Sequence, residues 1–235
     1  MYKNYIFDLY GTLIDIRTDE WSDTFWNRFA CWLTEQGMSY SMQEVRKLYE
    51  AEVKKLVEQP SEYDCPEIDI LPVFAKICRN RKADITDEQI WKVGEQFRIL
   101  STEFVKLYPD SQKVLTELKK SGKNVYLLSN AQRVFTRREL EITGILHDFD
   151  DIFISSDAGC KKPDKAFFEK LLQKHGLKVS ECVMIGNDGS TDIAGARSVG
   201  MDAVYIRTAI SPENEPVPDC KYVFEDGEIR HVLEL

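Results

Sequence analysis

Four stretches of the 235-residue chain place polar, chemically capable side chains at the end of a short apolar run. Tyr5–Leu9 contains Asp8 and passes into Tyr10-Gly11-Thr12-Leu13, and Val125–Ser129 runs into Asn130-Ala131. Ile152–Ser155 leads on to Lys162-Pro163, and Cys182–Ile185 is followed by Gly186-Asn187-Asp188-Gly189-Ser190-Thr191-Asp192. A carboxylate is a weak nucleophile in water. Held at a strand end in line with an electrophilic phosphorus or carbon, it can form an ester that water later opens. A lysine among carboxylates keeps an acid ionised and offsets negative charge in a transition state. Hydroxyl and amide groups supply uncharged donors, and acidic oxygens suit a hard divalent cation. Each stretch alone also has a plain structural reading. Asp-x-x-Gly is common in turns, Ser129-Asn130 and the acidic loop before Thr191 can cap helices, and Pro163 suits a helix start.

The elements that must position these groups are legible as texture. Tyr5–Leu9, Val125–Ser129, Ile152–Ser155, Cys182–Ile185 and Ala203–Ile206, with Tyr222–Phe224 as a weaker sixth, are too short for helices and lack clean alternation. Such runs are expected of strands covered on both faces. Amphipathic stretches at Ser111–Lys120, Asp164–His175 and Thr191–Ser198 separate them, which predicts a parallel sheet covered by helices. In such a sheet ligands bind beyond the carboxyl ends of the strands, where the four stretches lie. Between Ile16 and Thr102 the pattern becomes helical, over Glu20–Gln36, Ser41–Glu58, Ile68–Arg79 and Asp87–Phe104, with no convincing strand. Trp21, Phe25, Phe29 and Trp32 recur there at the spacing of a core stripe. Trp21, Tyr40, Tyr49 and Tyr63 are read as packing residues rather than as pocket lining.

Composition bounds the function. With 43% hydrophobic and 30% charged residues the chain is ordinary globular protein, long enough to bury a core without staples. A net charge of −9 repels polyanions, so neither nucleic acid nor an anionic membrane is expected as a partner, while a divalent cation is welcome. The six cysteines show no metal or redox spacing and are expected to be reduced and mostly packed. No apolar run approaches the roughly 18 residues of a membrane span or a signal-peptide core, so the sequence reads as a cytoplasmic protein.

Together and in this order, the four stretches resemble the motifs of the haloacid dehalogenase-like (HAD) hydrolase superfamily, from Tyr5 to about Ile206. The resemblance implies an α/β fold, with a Rossmann-like core of residues 1–15 and 105–235 and an inserted all-helical cap of the first type over 16–104. It makes Asp8 the nucleophile and Lys162 the balancing cation, and it makes Thr12, Ser129 and Asn130 the groups that bind the transferred moiety. Magnesium is implied as cofactor, held by Asp8, the backbone carbonyl of Tyr10 and Asp188, with Asn187 and Asp192 behind it. An alternative register puts Asn187 rather than Asp188 in the motif's first acidic slot, where an amide oxygen would ligate more weakly.

One position departs from the superfamily's phosphatases, which usually carry a second aspartate two residues after the nucleophile as acid and base. In this chain that residue is Tyr10, a phenol that can donate a proton but is a poor base at neutral pH. Tyrosine there resembles the 2-haloacid dehalogenases, whose halide leaves without a proton but which dispense with the metal and use an arginine; Arg17 and Arg28 are the candidates. Three functions follow: a magnesium-dependent phosphatase of a small phosphomonoester, which is favoured; a metal-independent 2-haloacid dehalogenase; and a weakly active relative that binds a phosphorylated ligand.

Overall fold

The computed structural model describes residues 1–82, 84–211 and 216–235. In chain order the elements begin with β1 (Asn4–Phe7), β2 (Ile14–Thr18), α1 (Asp23–Glu35), α2 (Met42–Val57), α3 (Leu71–Arg79), α4 (Asp87–Ser101) and β3 (Thr102–Leu107). There follow α5 (Ser111–Lys120), β4 (Asn124–Ser129), α6 (Arg133–Ile142), β5 (Asp151–Ile154), α7 (Ser155–Ala158) and α8 (Lys165–His175). The chain ends with β6 (Cys182–Gly186), α9 (Ala194–Ser198), β7 (Asp202–Ile206) and β8 (Tyr222–Phe224). Six strands form one parallel sheet in the order β5-β4-β1-β6-β7-β8. The chain is thus an α/β protein.

Burial on both faces explains why the strands do not alternate. On one face Tyr5, Phe7, Val125, Leu127, Val183 and Ile185 pack with Val114, Leu115 and Leu118 of α5. On the other, Ile6, Leu128 and Met184 pack with Phe167, Phe168 and Leu171 of α8. These two sets differ by one residue along each strand, the period-two signature of a pleated sheet with two covered faces. Register then does the positioning: Phe7 lies between Leu127 of β4 and Ile185 of β6, so the exits of all three strands emerge side by side at the middle of the sheet.

The region between β1 and α5 is helical with a correction at each end. β2 and β3 form an antiparallel ribbon, Ile14 opposite Leu107 and Arg17 opposite Phe104, where the sequence pattern predicts no strand. Their alternation is short and studded with Asp15, Arg17, Glu103 and Lys106, so it does not read as a core strand, and the helix expected to Phe104 stops at Ser101. Trp21 is a second correction. Ser22 caps α1 by accepting from Phe25 N, which leaves Trp21 outside the helix and 81% exposed rather than in the stripe. Phe25, Phe29, Phe74 and Phe97 form the apolar centre of the four helices, closed from the sheet side by Val134 and Phe135 of α6. Gly94 permits that approach, because a Cβ there would lie 2.6 Å from Val134. All six cysteines are free thiols; Cys78, Cys160 and Cys182 are buried while Cys31 is exposed. Among the described residues no helix is long and apolar enough to cross a membrane.

Phe97 is fully buried and makes aromatic contacts with Phe25, Phe29, Tyr49, Phe74 and Phe135. Phe97→Ala is therefore expected to cost about 3–5 kcal/mol, read as a lowered midpoint in urea unfolding.

Candidate active site

Asp8 follows the last residue of β1, and its N–H still donates to Ile185 O at 2.9 Å, so its backbone is pinned to β6. The chain then turns sharply. Leu13 and Ile14 N–H both donate to Leu9 O at 2.9 Å, and Gly11 has φ of 88°, a conformation that side chains rarely adopt. A Cβ on Gly11 would also sit 2.7 Å from Asn187 Oδ1, so the turn needs glycine for close approach as well as for torsion.

Lys162 reaches this turn from the loop between α7 and α8. Its ammonium donates to Asp8 Oδ1 at 2.6 Å and to Asp192 Oδ1 at 2.7 Å, and both Lys162 and Asp192 are buried. Burial alone would push the Lys162 ammonium down, but the carboxylates of Asp192 and Asp8 outweigh it and hold the pKa above its usual value. Burial pushes Asp192 up, with Lys162 opposing and Asp8 reinforcing the rise. Asp192 is further fixed by Asp188 N–H, which donates to Oδ2 at 3.1 Å, and it fits under β6 only because Gly186 has no Cβ to collide with it.

The other expected residues converge with different duties. Asn130 spends its side chain on the lysine's backbone: Nδ2 donates to Lys162 O at 3.0 Å and Oδ1 accepts from Lys162 N at 2.8 Å. It therefore sets the lysine in place. Ser129, fully buried at the exit of β4, has a hydroxyl with no partner among the described residues and does not line the cavity described below. Thr12 Oγ1 lies 3.4 Å from Asp8 Oδ2 and 3.3 Å from Asn187 Oδ1, joining the turn after Asp8 to the loop after β6. Asp188 caps that loop, with Oδ1 accepting from Ser190 N, Ser190 Oγ and Thr191 N, while Oδ2 accepts from none of the described residues. Burial raises the Asp188 carboxyl but these donors prevail and lower it, so it is ionised at neutral pH. Of the two residues, Asn187 is the one packed against Gly11 and Thr12.

An open cavity of about 260 Å³ lies over these groups, lined by Asp8, Tyr10, Asn130, Lys162, Asn187 and Asp188, with Thr191, Asp192 and Ile210 completing it. Three carboxylates face one ammonium, and among the described residues no arginine or histidine lines it. Arg17 pairs with Glu103 and Arg28 donates to Leu100 O; neither lines the cavity. Among the described residues no three His, Cys, Asp or Glu form a ready-made metal cluster. The oxygen-only donors and surplus negative charge nonetheless fit a hard divalent cation that keeps several waters.

Several functional contacts lie beyond what the sequence predicts. The Tyr10 hydroxyl donates to the Glu139 carboxylate and lies 2.9 Å from Thr136 Oγ1. Arg98 Nε donates to Glu139 Oε1 at 2.7 Å, and Arg98 NH1 to Glu20 Oε1 at 2.9 Å. Burial, then the Glu139 charge, raises the Tyr10 phenol well above its usual value, so it stays protonated across the working pH range. Thr208 Oγ1 donates to Gly11 O at 2.6 Å and Ser211 Oγ to Asn187 O at 3.1 Å, clamping both turns from behind. The available signal is a charge at helical spacing from buried positions: Glu139 comes four residues after Phe135, and Arg98 comes four after Gly94 and three before Ser101.

Comparison with known proteins comes to the same place. A family model described as haloacid dehalogenase-like hydrolase matches residues 2–200. A phosphoserine phosphatase of Thermus thermophilus is 29% identical over 178 residues, covering 73% of this chain and 70% of that protein. Other curated relatives, also named as phosphatases, are matched over about half their length. Among solved structures, a predicted phosphoglycolate phosphatase from Haemophilus somnus superimposes with a TM-score of 0.60 at 19% identity, covering 100% of this chain and 98% of that one. An L-2-haloacid dehalogenase from Xanthobacter autotrophicus with chloropropionic acid covalently bound gives 0.51 at 17% identity, covering 88% and 78%. At these identities the structural likeness speaks to fold alone.

Gly11→Ala is expected to lower stability by more than about 1 kcal/mol, because alanine at positive φ is strained and its Cβ would meet Asn187. A thermal melt unchanged from the wild type would contradict this account of the turn.

Proposed function

The chain belongs to the haloacid dehalogenase-like hydrolase family, and from that premise we propose that it is a phosphatase of a small phosphorylated molecule, working through a phosphoaspartyl intermediate on Asp8. The observation that carries the reading is the charge of the cavity. Three carboxylates surround one lysine already bonded to two of them, so an anionic substrate entering without a cation would meet net repulsion. An oxygen-lined, acid-rich pocket that receives an anion suits the substrate and a divalent cation together. The relatives named as phosphatases agree in direction.

In this reading Asp8 attacks phosphorus, and Lys162, fixed by Asp192 and by the Asn130 side chain, holds the nucleophile's other oxygen and balances charge. The free hydroxyl of Ser129 and that of Thr12 bind oxygens of the transferred group. Magnesium would be held by Asp8, Asp188 and the Tyr10 carbonyl, with Asn187 and Asp192 behind; when bound it neutralises phosphoryl charge. Residues 16–104 serve as the cap, covering a core of 1–15 and 105–235, and choose the substrate from above the cavity.

A second reading, a metal-independent 2-haloacid dehalogenase, is favoured by one observation: the Tyr10 hydroxyl is engaged with Glu139, and halide departs without a proton. The lack of an arginine among the described residues that line the cavity weighs against it, since a 2-halo acid brings a carboxylate that needs a cation.

One paired assay separates them. Phosphate release from aryl and sugar phosphates, lost on adding EDTA and restored by magnesium, is the expected result. Chloride release from 2-chloropropionate, insensitive to EDTA, is the result that would overturn it. Asp8→Asn is expected to lower turnover on the order of 10⁴-fold or more while leaving the melting temperature close to that of the wild type; a retained rate would remove Asp8 from the nucleophile's role.

A further inference from the structure

Hydrolysis of an alkyl phosphate asks for a proton on the departing oxygen, because an alkoxide is a poor leaving group. Tyr10 lines the same cavity as Asp8 and carries a phenolic proton, but its surroundings commit that proton elsewhere. A phenol has one hydrogen and a carboxylate only accepts, so the Tyr10–Glu139 contact uses it. Glu139 is in turn held by Arg98, whose guanidinium is pinned by Glu20 and lies 5.3 Å from the Phe135 ring and 5.9 Å from the Tyr10 ring. Glu139 is buried and Arg98 mostly so, which makes the arrangement costly to rearrange.

Among the described residues that line the cavity, the other side chains are three carboxylates, the Lys162 ammonium, two amides, one hydroxyl and an isoleucine, with no histidine among them. The Asn130 amide holds the Lys162 backbone through Oδ1 and Nδ2, and neither it nor the Asn187 amide or the Thr191 hydroxyl is acidic enough to give up a proton. Asp188 is held by the donors of its own loop, and Asp192 accepts from Lys162 on one oxygen and from Asp188 N–H on the other. Lys162 directs hydrogens to Asp8 and Asp192.

We propose that the site acts on phosphoryl donors whose leaving oxygen departs as a stabilised anion, namely acyl and aryl phosphates, and that Glu139 and Arg98 determine this specificity by keeping the Tyr10 proton out of the reaction. The proposal rests on the phosphatase reading above. In the first step an Asp8 oxygen bonds to phosphorus as the bond to the leaving oxygen breaks, and the electron pair departs with a carboxylate or phenolate. In the second step water attacks the same phosphorus and the Asp8 carboxylate leaves with its pair; one of the water's hydrogens stays on the attacking oxygen and the other passes to another oxygen of the phosphate released. Nothing is oxidised or reduced.

The test compares kcat/KM of the full chain, with magnesium, on acetyl phosphate, a series of aryl phosphates of graded phenol acidity, and O-phosphoserine. Rates are expected to fall steeply as the leaving phenol becomes less acidic, with O-phosphoserine slower than 4-nitrophenyl phosphate by about 10²–10⁴-fold, the range that general acid help is worth. Tyr10→Phe is expected to leave the slope of the aryl series unchanged, whereas Tyr10→Asp, too short to reach Glu139, is expected to narrow the gap to O-phosphoserine. Comparable rates on aryl and alkyl phosphates, or a steeper slope in Tyr10→Phe, would overturn the proposal and leave the phosphatase reading standing. Phosphate release from none of these donors would remove that reading, and this proposal with it.

Discussion

The structure turns on a buried ammonium held between two carboxylates. Lys162 reaches Asp8 at the end of β1 and Asp192 beyond β6, three segments far apart in the chain. Leaving any member unpartnered in the interior costs several kcal/mol, so the strand order, the glycines at 11 and 186 and the loop that carries the lysine are all bound to one arrangement. Such a contact is weak evidence of net stability. It fixes where the Asp8 carboxylate sits, and the order β4-β1-β6 at the centre of the sheet is what allows it.

A second buried network ties that centre to the helices above. Glu20 and Arg98 come from the helical region, Glu139 and Tyr10 from the sheet side, so the turn after Asp8 is joined to the segment beside it through a chain of polar and charged contacts. A backbone strap adds to it: Lys161 N–H donates to Cys65 O at 2.9 Å and Glu67 N–H to Gly159 O at 3.0 Å, beside the loop that carries Lys162. The Gln132 side chain holds Ile68 O and Ile70 N as well, at 2.8 Å and 2.9 Å. The helical region is thus tied to the sheet by two separate sets of contacts, one through Arg98 and one through residues 65–70.

Much of this is legible in the sequence because burial and topology write themselves into residue types. Strands covered on both faces must be apolar throughout, so β1, β4, β6 and β7 stand out, and the polar residues that interrupt them mark their exits. What stays hidden lies in contacts between distant positions. Nothing near Tyr10 in the sequence announces Glu139 or Arg98, and Thr208 and Ser211 are ordinary loop residues until the fold sets them behind Gly11 and Asn187. The β2–β3 ribbon is masked by its charges, and Trp21 misleads because the helical period carries back past the cap at Ser22. Spacing alone does not rank Asn187 against Asp188. The fold puts the first against the Gly11 turn and makes the second a cap that also faces the cavity.

The central claim is that the Asp8 carboxylate becomes bonded to the transferred group. Mixing the protein with acetyl phosphate, quenching in acid within milliseconds and mapping the digest by mass spectrometry tests it directly. A single phosphoryl group on the peptide containing Asp8, removed by hydroxylamine as an acyl phosphate must be, is the result this account predicts. Turnover in the same sample with an unmodified Asp8 peptide, or the label on any other residue, would contradict it.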